Sequence, residues 1–291
     1  MKIANRIQII VLSITLISIS VSCSSGTTQL DVTPEFWSGV TLTSTDTIKD
    51  THQTITAYTI TPYTNKNLTI TPTSITTISS PLEDIEIKEL PTIISRPFSM
   101  PIPGKDDGHH GVDLSFYAYK NRNGISGLPV LSIFPGKVSS IIYDRFPYGN
   151  TVIIETKLEN ISKDLFKDVE LPPSNTLYQP ATALNCPDDL NGYDLSEDNL
   201  SFYILYAHLK NNPSLELNET VDQGQVIGQV GTTGFSTVPH LHLEMRIGPS
   251  DFNFNSIAHY VNDVSEEEIR NYCIWRVSGI FKLLDPMTLL N

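Results

Sequence analysis

Basic residues are scarce in this sequence. Its 291 residues include 19 Lys and Arg against 32 Asp and Glu, which gives a formal net charge of −13. Nucleic-acid binding depends on a basic surface that neutralises phosphates, and no cluster of Lys or Arg is present to form one. The composition therefore argues against a nucleic-acid partner and indicates an acidic, well-solvated protein.

Long hydrophobic runs are also lacking near the N-terminus. Residues 7–21 are apolar apart from Ser, Thr and one Gln, and they are too few for a membrane-spanning helix, which needs about 20 apolar residues. They follow Lys2 and Arg6, as the apolar core of a signal peptide follows its positive start. We expect residues 1–23 to be a signal peptide and the protein to be exported to the cell envelope or secreted, at the outer face of the cytoplasmic membrane or in the cell wall.

Cysteine is rare, with three residues. Cys23 follows small residues and precedes a Ser/Gly stretch, which resembles a bacterial lipoprotein processing site, although Ser20 stands where that pattern usually has leucine. Lipidation of Cys23 would anchor the protein in the membrane; simple cleavage or an uncleaved anchor is the alternative. Cys186 and Cys273 would then form an even pair in an oxidising compartment, either as a disulfide or as two free thiols.

The stretch 24–95 is dense in Thr, Ser and Pro and poor in the Leu and Phe that a core needs. This composition predicts a disordered stalk. Local strand pairing through the alternation of Thr and Ile is the alternative. A flexible stalk of this length would reach about 50 Å, so a head on it would work at some distance from a membrane anchor.

Residues 96–291 have the pattern of a folded, mainly β domain. Short β-branched runs alternate with turns that contain Gly or Pro, which predicts an antiparallel β-sandwich or partial barrel. Two segments, 157–200 and 249–284, interrupt this rhythm as long insertions. Ser265, followed by three glutamates, predicts a capping box that opens a C-terminal helix. The β-branched runs are 130–134, 136–143, 150–155, 202–207 and 225–230.

The seven histidines divide into isolated ones and ones in compact motifs. His52 and His259 stand alone and are interpreted as surface or satisfied core residues. The other five lie in three short motifs, which are His109-His110-Gly111-Val112-Asp113, Tyr206-Ala207-His208-Leu209 and Pro239-His240-Leu241-His242-Leu243-Glu244.

These motifs supply good metal ligands. On a strand, His240 and His242 would point to one face, and a divalent cation would stabilise two neighbouring imidazoles. His109 and Asp113 flank a turn, and with one imidazole of the third motif they make a three-ligand set. Such a set leaves a fourth position open, as in catalytic zinc sites, whereas structural zinc more often uses several cysteines.

With these motifs the chain resembles the lysostaphin/LytM-type zinc endopeptidases, which have the duplicated hybrid motif fold. The resemblance covers roughly residues 105–156, 201–248 and the last few positions. It implies an antiparallel β-sandwich with a zinc-binding groove across one sheet, one Zn²⁺ ion, and peptidoglycan as the partner of a protein expected to be monomeric. Besides the three histidine motifs, the matching segments are the glycine-rich stretch 224–236, Pro135-Gly136-Lys137-Val138, Gly149-Asn150-Thr151-Val152 and Asp285-Pro286-Met287.

The resemblance also implies roles. His109, Asp113 and His242 correspond to the zinc ligands, and His208 and His240 correspond to the pair that acts on water and on the reacting carbonyl. The sequence does not decide which of the two is the general base. His110 occupies a variable position and receives no role. Tyr206, two residues before His208, would either border the groove or pack in the core.

The implied activity is that of a zinc endopeptidase that cuts peptide bonds in peptidoglycan stem peptides or cross-bridges during cell-wall remodelling. The alternative is a non-catalytic, wall-binding activator or scaffold for other wall hydrolases. Relatives of that kind have lost ligands, and none is missing here. The insertions 157–200 and 249–284 would form either a lid or specificity wall beside the groove or plain surface, and a Cys186–Cys273 bridge would join them.

Overall fold

The computed structural model describes residues 40–50, 53–62, 74–167, 169–171, 177–190 and 192–290. The predicted signal peptide, Cys23 and His52 lie outside these residues. The chain divides into two compact units, Met1–Thr69 and Ile70–Asn291. Among the described residues, none of the helices has the length and apolar character needed to cross a membrane.

The described part of the first unit is an antiparallel hairpin. Its strands are β1 (Val40–Asp50) and β2 (Gln53–Pro62), and a register shift lies between Ser44 and Asp46. Local strand pairing, the alternative to a stalk without structure, is therefore what these residues adopt.

The second unit is built mainly from short strands. They are β3 (Ile94–Arg96), β4 (Val112–Leu114), β5 (Ala118–Tyr119), β6 (Arg122–Asn123), β7 (Pro129–Leu131), β8 (Gly136–Arg145), β9 (Gly149–Lys157), β10 (Leu200–Leu209), β11 (Thr220–Val221), β12 (Val226–Gln229), β13 (Leu241–Pro249) and β14 (Lys282–Leu284). The α-helix α1 spans Glu266–Arg276. Short 3-10 helices span Ile87–Ile93, Leu158–Asn160, Lys163–Leu165, Thr182–Leu184, Glu197–Asn199 and Pro286–Thr288.

The strands form one large antiparallel sheet in the order β11-β8-β9-β10-β13-β4-β3, and β14 pairs with β13 as well. Two smaller pairs, β7–β12 and β5–β6, accompany it. The central strands β10 and β13 are buried at every position. Most residues of β10 are apolar or aromatic, whereas β13 alternates apolar residues with His242, Glu244 and Arg246, which bond to one another inside the protein. The mainly antiparallel β fold expected from the sequence is confirmed.

Tyr206 packs in the core and does not border the cleft. Its side chain is fully buried, and its hydroxyl accepts a hydrogen bond from the backbone N–H of Ile133 at 2.9 Å. The pairing of β10 with β9 shifts register between Tyr206 and Leu209, and His208 has a positive φ of 60°. This bulge breaks the regular alternation, so Tyr206 and His208 do not face the same surroundings.

The compact unit begins before residue 96, the boundary expected from the sequence. Leu82, Leu90 and Ile93 are buried in its core, and β3 extends the edge of the large sheet beside β4. These apolar residues stand among Pro and Thr residues, so no clear periodic pattern in the sequence assigns them to the core.

The helix α1 begins as predicted, with a capping box. The hydroxyl of Ser265 accepts from the N–H of Glu268 at 3.2 Å, and the Glu268 carboxylate accepts from the N–H of Ser265 at 3.0 Å. Further along the helix, Cys273 forms a disulfide with Cys186. This bond joins the 249–284 insertion to the 157–200 insertion.

Candidate metal centre and catalytic cleft

Strand pairing brings the first and third histidine motifs together. Asp113 on β4 lies directly opposite His242 on β13, and residues in such a pair share one face of the sheet. Gly111 permits this approach, because a Cβ there would lie 2.3 Å from the backbone oxygen of Leu243. His109 is fixed by two backbone hydrogen bonds with Ser99, each of 2.9 Å.

Three side chains meet at this point of the sheet. The Oδ1 atom of Asp113 lies 2.7 Å from Nδ1 of His242 and 3.1 Å from Nε2 of His109. The two ring nitrogens are 3.2 Å apart. All three residues are buried, and their ligand atoms lie within 4.8 Å of one another.

The outer partners of the two rings determine which nitrogens face inward. Nδ1 of His109 lies 2.8 Å from the carbonyl oxygen of Pro97, and Nε2 of His242 lies 3.1 Å from Oε1 of Glu244. With a proton on each of these outer nitrogens, the inward nitrogens carry lone pairs, a tautomer assignment made from the hydrogen-bond pattern. Two lone pairs and a carboxylate oxygen converge, and this donor set suits a divalent cation.

The charges around His242 also favour a cation at this point. Burial alone would lower the pKa of His242, but the carboxylates of Asp113 and Glu244 outweigh it and raise the pKa to about 9. Burial would likewise raise the pKa of Asp113, and its hydrogen bonds to His109 and His242 hold that pKa well below its usual value. The site thus stabilises positive charge, which either a proton or a metal ion supplies.

Glu244 supports His242 from behind. Besides His242, its Oε1 atom accepts from the hydroxyl of Tyr148 at 2.7 Å. Its Oε2 atom accepts from Nε1 of Trp275 at 2.9 Å and from Nη2 of Arg246 at 2.8 Å. Burial would raise the pKa of Glu244, but the Arg246 guanidinium and the other donors hold it well below the usual range. A fixed carboxylate of this kind orients a ligating imidazole.

A second arginine, Arg276, lines the cleft and contacts both Tyr148 and Glu244. Arg276 donates from Nη1 to the hydroxyl of Tyr148 at 2.8 Å and from Nε to Asp106 at 2.6 Å. Its Nη1 atom is also 3.6 Å from Glu244. The insertion that contains α1 therefore contributes both Trp275 and Arg276 to the surroundings of the candidate metal ligands.

His208 and His240 lie side by side, with ring centroids 4.6 Å apart. Nδ1 of His208 lies 2.8 Å from the carbonyl oxygen of Thr233, and Nδ1 of His240 lies 2.8 Å from that of Val238. Both Nδ1 atoms act as donors in this assignment, so both Nε2 atoms are free to accept a proton. Burial, followed by the nearby charges of His242 and His240, lowers the pKa of His208 to about 3.

The glycine-rich approach to His240 is a tightly packed turn. A Cβ on Gly231 would lie 2.3 Å from Cα of Lys210, and one on Gly234 would lie 2.3 Å from the backbone N of Gly149. Gly234 also has a φ of +70°, which favours glycine. The turn holds Thr233, whose carbonyl orients His208, so the two glycines fix the register of the proposed catalytic pair.

The five histidine and aspartate side chains line a cleft of about 520 Å³. Its lining includes the apolar rings of Phe146 and Phe235, which lie 5.3 Å apart. It also includes Tyr260, Tyr272 and Arg276 from the 249–284 segment. That insertion therefore forms part of the cleft wall.

The remaining described histidines have structural partners. His110 is buried, accepts from Arg246 at 2.9 Å and donates to the Asp107 carbonyl at 3.1 Å. Burial, together with the charges of Arg276 and Arg246, lowers its pKa to about 2. His259 is buried too, and its Nε2 atom lies 2.9 Å from the carbonyl oxygen of Leu184.

The structure thus brings together all five residues that the sequence motifs singled out, and it bonds Cys186 to Cys273. The residues behind the ligands were not predicted from the sequence. Glu244 had a signal, since it lies two positions after His242 on a strand and so shares its face. Trp275 and Arg276 had none, because they approach from a distant helix.

Part of this chain is similar in sequence to known proteins. Residues 195–254 match the family model for Peptidase family M23. This segment includes His208, His240 and His242, whereas His109 and Asp113 lie outside it. A stretch of 54 residues, 19% of this chain, is 52% identical to the DD-carboxypeptidase/endopeptidase Mpg of Neisseria meningitidis serogroup B, and 50% identical to that of Neisseria gonorrhoeae. The matched stretch spans 12% of the length of these relatives.

Among solved structures, the catalytic domain of the antimicrobial peptidase lysostaphin from Staphylococcus simulans matches at 19% identity, with a TM-score of 0.34, over 71% of this chain and 98% of that one. A zinc-containing peptidase from Vibrio cholerae matches at 23% identity, with a TM-score of 0.31, over 58% and 36%. The sequence matches confirm the resemblance to the lysostaphin/LytM-type peptidases, and they do so over residues 195–254, the part of the chain that matches the model of Peptidase family M23.

Proposed function

We propose that this chain is a zinc-dependent endopeptidase that hydrolyses peptide bonds in peptidoglycan. His109, Asp113 and His242 would hold the metal ion, and His208 and His240 would be the catalytic residues. One observation carries the proposal, namely that two imidazole nitrogens and one carboxylate oxygen lie within 3.2 Å of one another in the lining of a cleft.

The donor set fits zinc better than it fits harder cations. Two imidazoles with one carboxylate are typical zinc ligands, whereas calcium and magnesium take mainly oxygen ligands. When bound in such a site, zinc supplies a Lewis acid that polarises a carbonyl and lowers the pKa of water to near 7.

The protein's own residues would manage the protons of the reaction. His208 and His240 each present an unprotonated Nε2 atom, since their Nδ1 atoms donate to backbone carbonyls. Either one can accept a proton as the general base and return it to the leaving amine. The two hydrogen-bond arrangements are equivalent in this respect, so either histidine can take either role.

The family relatives support the substrate class. The relatives from Neisseria are named as a DD-carboxypeptidase/endopeptidase, which is an activity on peptide bonds. Because this chain spans only a small part of those proteins, we infer the reaction type for it from its site, and peptidoglycan as its substrate from the resemblance found in the sequence.

We also propose that the protein works at the cell envelope. A signal peptide over residues 1–23 and lipidation of Cys23 would hold the protein near the wall, where we expect it to act as a monomer. Mass spectrometry of the N-terminal peptide from membrane-extracted protein tests this part. A diacylated Cys23 supports the anchor, and an unmodified N-terminus further along the chain contradicts it.

Digestion of purified peptidoglycan tests the activity. The protein with one equivalent of zinc is expected to release fragments with new amine termini, which mass spectrometry identifies together with the bond cut. A chelator should abolish the release, added zinc should restore it, and the His242→Ala variant should show none. Zinc-loaded protein that releases no fragments from any wall type would contradict the proposal.

A further inference from the structure

One arginine in the cleft has no partner in the described part of the chain. The structure describes six arginines, and five of them donate hydrogen bonds to carboxylates or backbone carbonyls. Arg96 is exposed, lines the cleft, and makes no such bond within the described residues. The five engaged arginines are Arg122, Arg145, Arg246, Arg270 and Arg276.

The sheet register places Arg96 beside the candidate metal ligands. Arg96 on β3 lies opposite Asp113 on β4, and Asp113 lies opposite His242 on β13. Directly opposed residues in antiparallel strands share a face. Neighbouring strands are about 4.8 Å apart, so the backbone of Arg96 lies about 10 Å from that of His242, within reach of a substrate bound there.

The charge of Arg96 is not compensated inside the cleft. Among the described residues that line the cleft, Asp113 is the only one with a carboxylate, and this carboxylate already contacts His109 and His242. The other lining guanidinium, Arg276, is bonded to Asp106. In a protein with a net charge of −13, a free guanidinium next to the proposed reaction centre indicates a negatively charged group on the ligand.

We propose that Arg96 binds a carboxylate of the substrate and so determines the substrate specificity of the protein. This inference rests on the proposed endopeptidase function. The planar guanidinium offers a fork that matches a carboxylate with two parallel hydrogen bonds. Peptidoglycan stem peptides carry free carboxylates, whereas a bridge of glycines has none along its length. The substrate is therefore a carboxylate-bearing stem peptide and not an uncharged interpeptide bridge.

The test compares matched substrates on the zinc-loaded protein. Purified cross-linked stem-peptide dimers are used with their carboxylates free or converted to amides, together with a pentaglycine peptide. We expect the wild type to cleave the free acid with a kcat/KM about 10-fold or more above that for the amide, as the loss of a charge-assisted hydrogen bond implies. The difference should lie in KM, since the contact is made before and during the reaction alike.

Three variants assign the preference to this side chain. Arg96→Gln should cleave both dimers at the low rate of the amide, and Arg96→Lys should keep part of the preference because it keeps the charge. Lys88→Gln also removes an exposed positive charge, but one outside the cleft, and should keep all of the preference. Circular dichroism and zinc content confirm that each variant is folded and loaded.

The outcomes separate this inference from the function on which it rests. Equal cleavage of both dimers by the wild type, a preference that survives in Arg96→Gln, or faster cleavage of pentaglycine would overturn the role of Arg96 and leave the endopeptidase proposal intact. Failure to cleave any of the peptides would instead overturn the endopeptidase proposal and this inference with it.

Discussion

The Nε2 atom of His109 and the Nδ1 atom of His242 face the same oxygen of Asp113, at 3.1 and 2.7 Å, and lie 3.2 Å from each other. The two rings are separated by more than 130 residues of sequence. Their outer nitrogens are both occupied, by the Pro97 carbonyl and the Glu244 carboxylate. Because two nitrogen lone pairs and a carboxylate oxygen face one another there, the group that fits between them is a cation.

Replacing the proposed catalytic histidines should separate catalysis from metal binding. His208→Ala and His240→Ala are each expected to lower kcat by about 10²- to 10⁴-fold, the usual contribution of general acid–base catalysis. Their zinc content should equal that of the wild type, because neither belongs to the ligand set. Rates on peptidoglycan fragments and metal analysis of the same samples measure both effects. A variant with unchanged kcat would remove that histidine from the mechanism.

The indole of Trp275 should support the metal site through Glu244. Trp275→Phe keeps an aromatic ring but removes the 2.9 Å hydrogen bond to a buried carboxylate, so the free energy of unfolding should fall by about 1–3 kcal/mol. Zinc affinity, measured by competition with a chelator, should fall about 10-fold, as for other residues that orient a ligating imidazole.

A matched control distinguishes this support from general loss of stability. Tyr203→Phe also removes a buried donor, to the Pro249 carbonyl at 2.6 Å, together with the acceptor of the Phe252 N–H at 3.2 Å, but at a site away from the ligands. It should lower stability without changing zinc affinity. Equal zinc affinities in the Trp275→Phe variant and the wild type would show that the helix supports the fold and not the site.

The disulfide should stabilise the insertions rather than the ligands. It closes a loop with a sequence separation of 87 residues, and removing such a bond typically costs about 2–4 kcal/mol. Urea unfolding of the Cys186→Ala/Cys273→Ala double variant measures this loss. Zinc binding should survive in the folded variant, because the ligands lie on β4, β13 and the turn before β4. A variant that folds but cannot bind zinc would contradict this division.

The capping box of α1 should make stability depend on pH in the acid range. Burial would raise the pKa of Glu268, but its bonds to Arg145, Ser265 and Ser256 outweigh it and lower the pKa to about 2. Since the folded-state pKa is depressed, this contribution to stability is present above the ordinary value of 4.5 and is lost as the pH falls towards 2.

Urea unfolding at several pH values measures this dependence. The stability difference between the wild type and Glu268→Gln should be largest above pH 4.5 and should shrink towards pH 2. Glu266→Gln, on the same first turn, controls for the charge at the helix N-terminus. A difference that is constant over this range would rule out the assigned ionic role of Glu268.

The sequence predicted the site better than it predicted the surroundings of the site. His240 and His242 could be placed on one face because strand periodicity is local, and Leu241 and Leu243 are indeed buried opposite them. The capping box at Ser265 was readable for the same reason. These features depend on residues within four positions of each other.

The features that the sequence did not predict depend on distant contacts. Trp275 reaches Glu244 across 31 residues, and Arg276 reaches Tyr148 across 128, so no local pattern marks them. The bulge at His208 moved Tyr206 into the core against the expected alternation of a regular strand. The core residues Leu82 and Leu90 lay in a stretch whose Thr and Pro content indicated a stalk.

Equilibrium titration with Zn²⁺, followed by metal analysis of the dialysed protein, tests the central claim most directly. The wild type should bind one zinc ion per chain in this site, and the single variants His109→Ala, Asp113→Asn and His242→Ala should each bind it far more weakly while keeping their far-ultraviolet circular dichroism. Folded wild-type protein that binds no zinc, or a variant with all three of these substitutions that binds zinc as tightly as the wild type, would contradict the account.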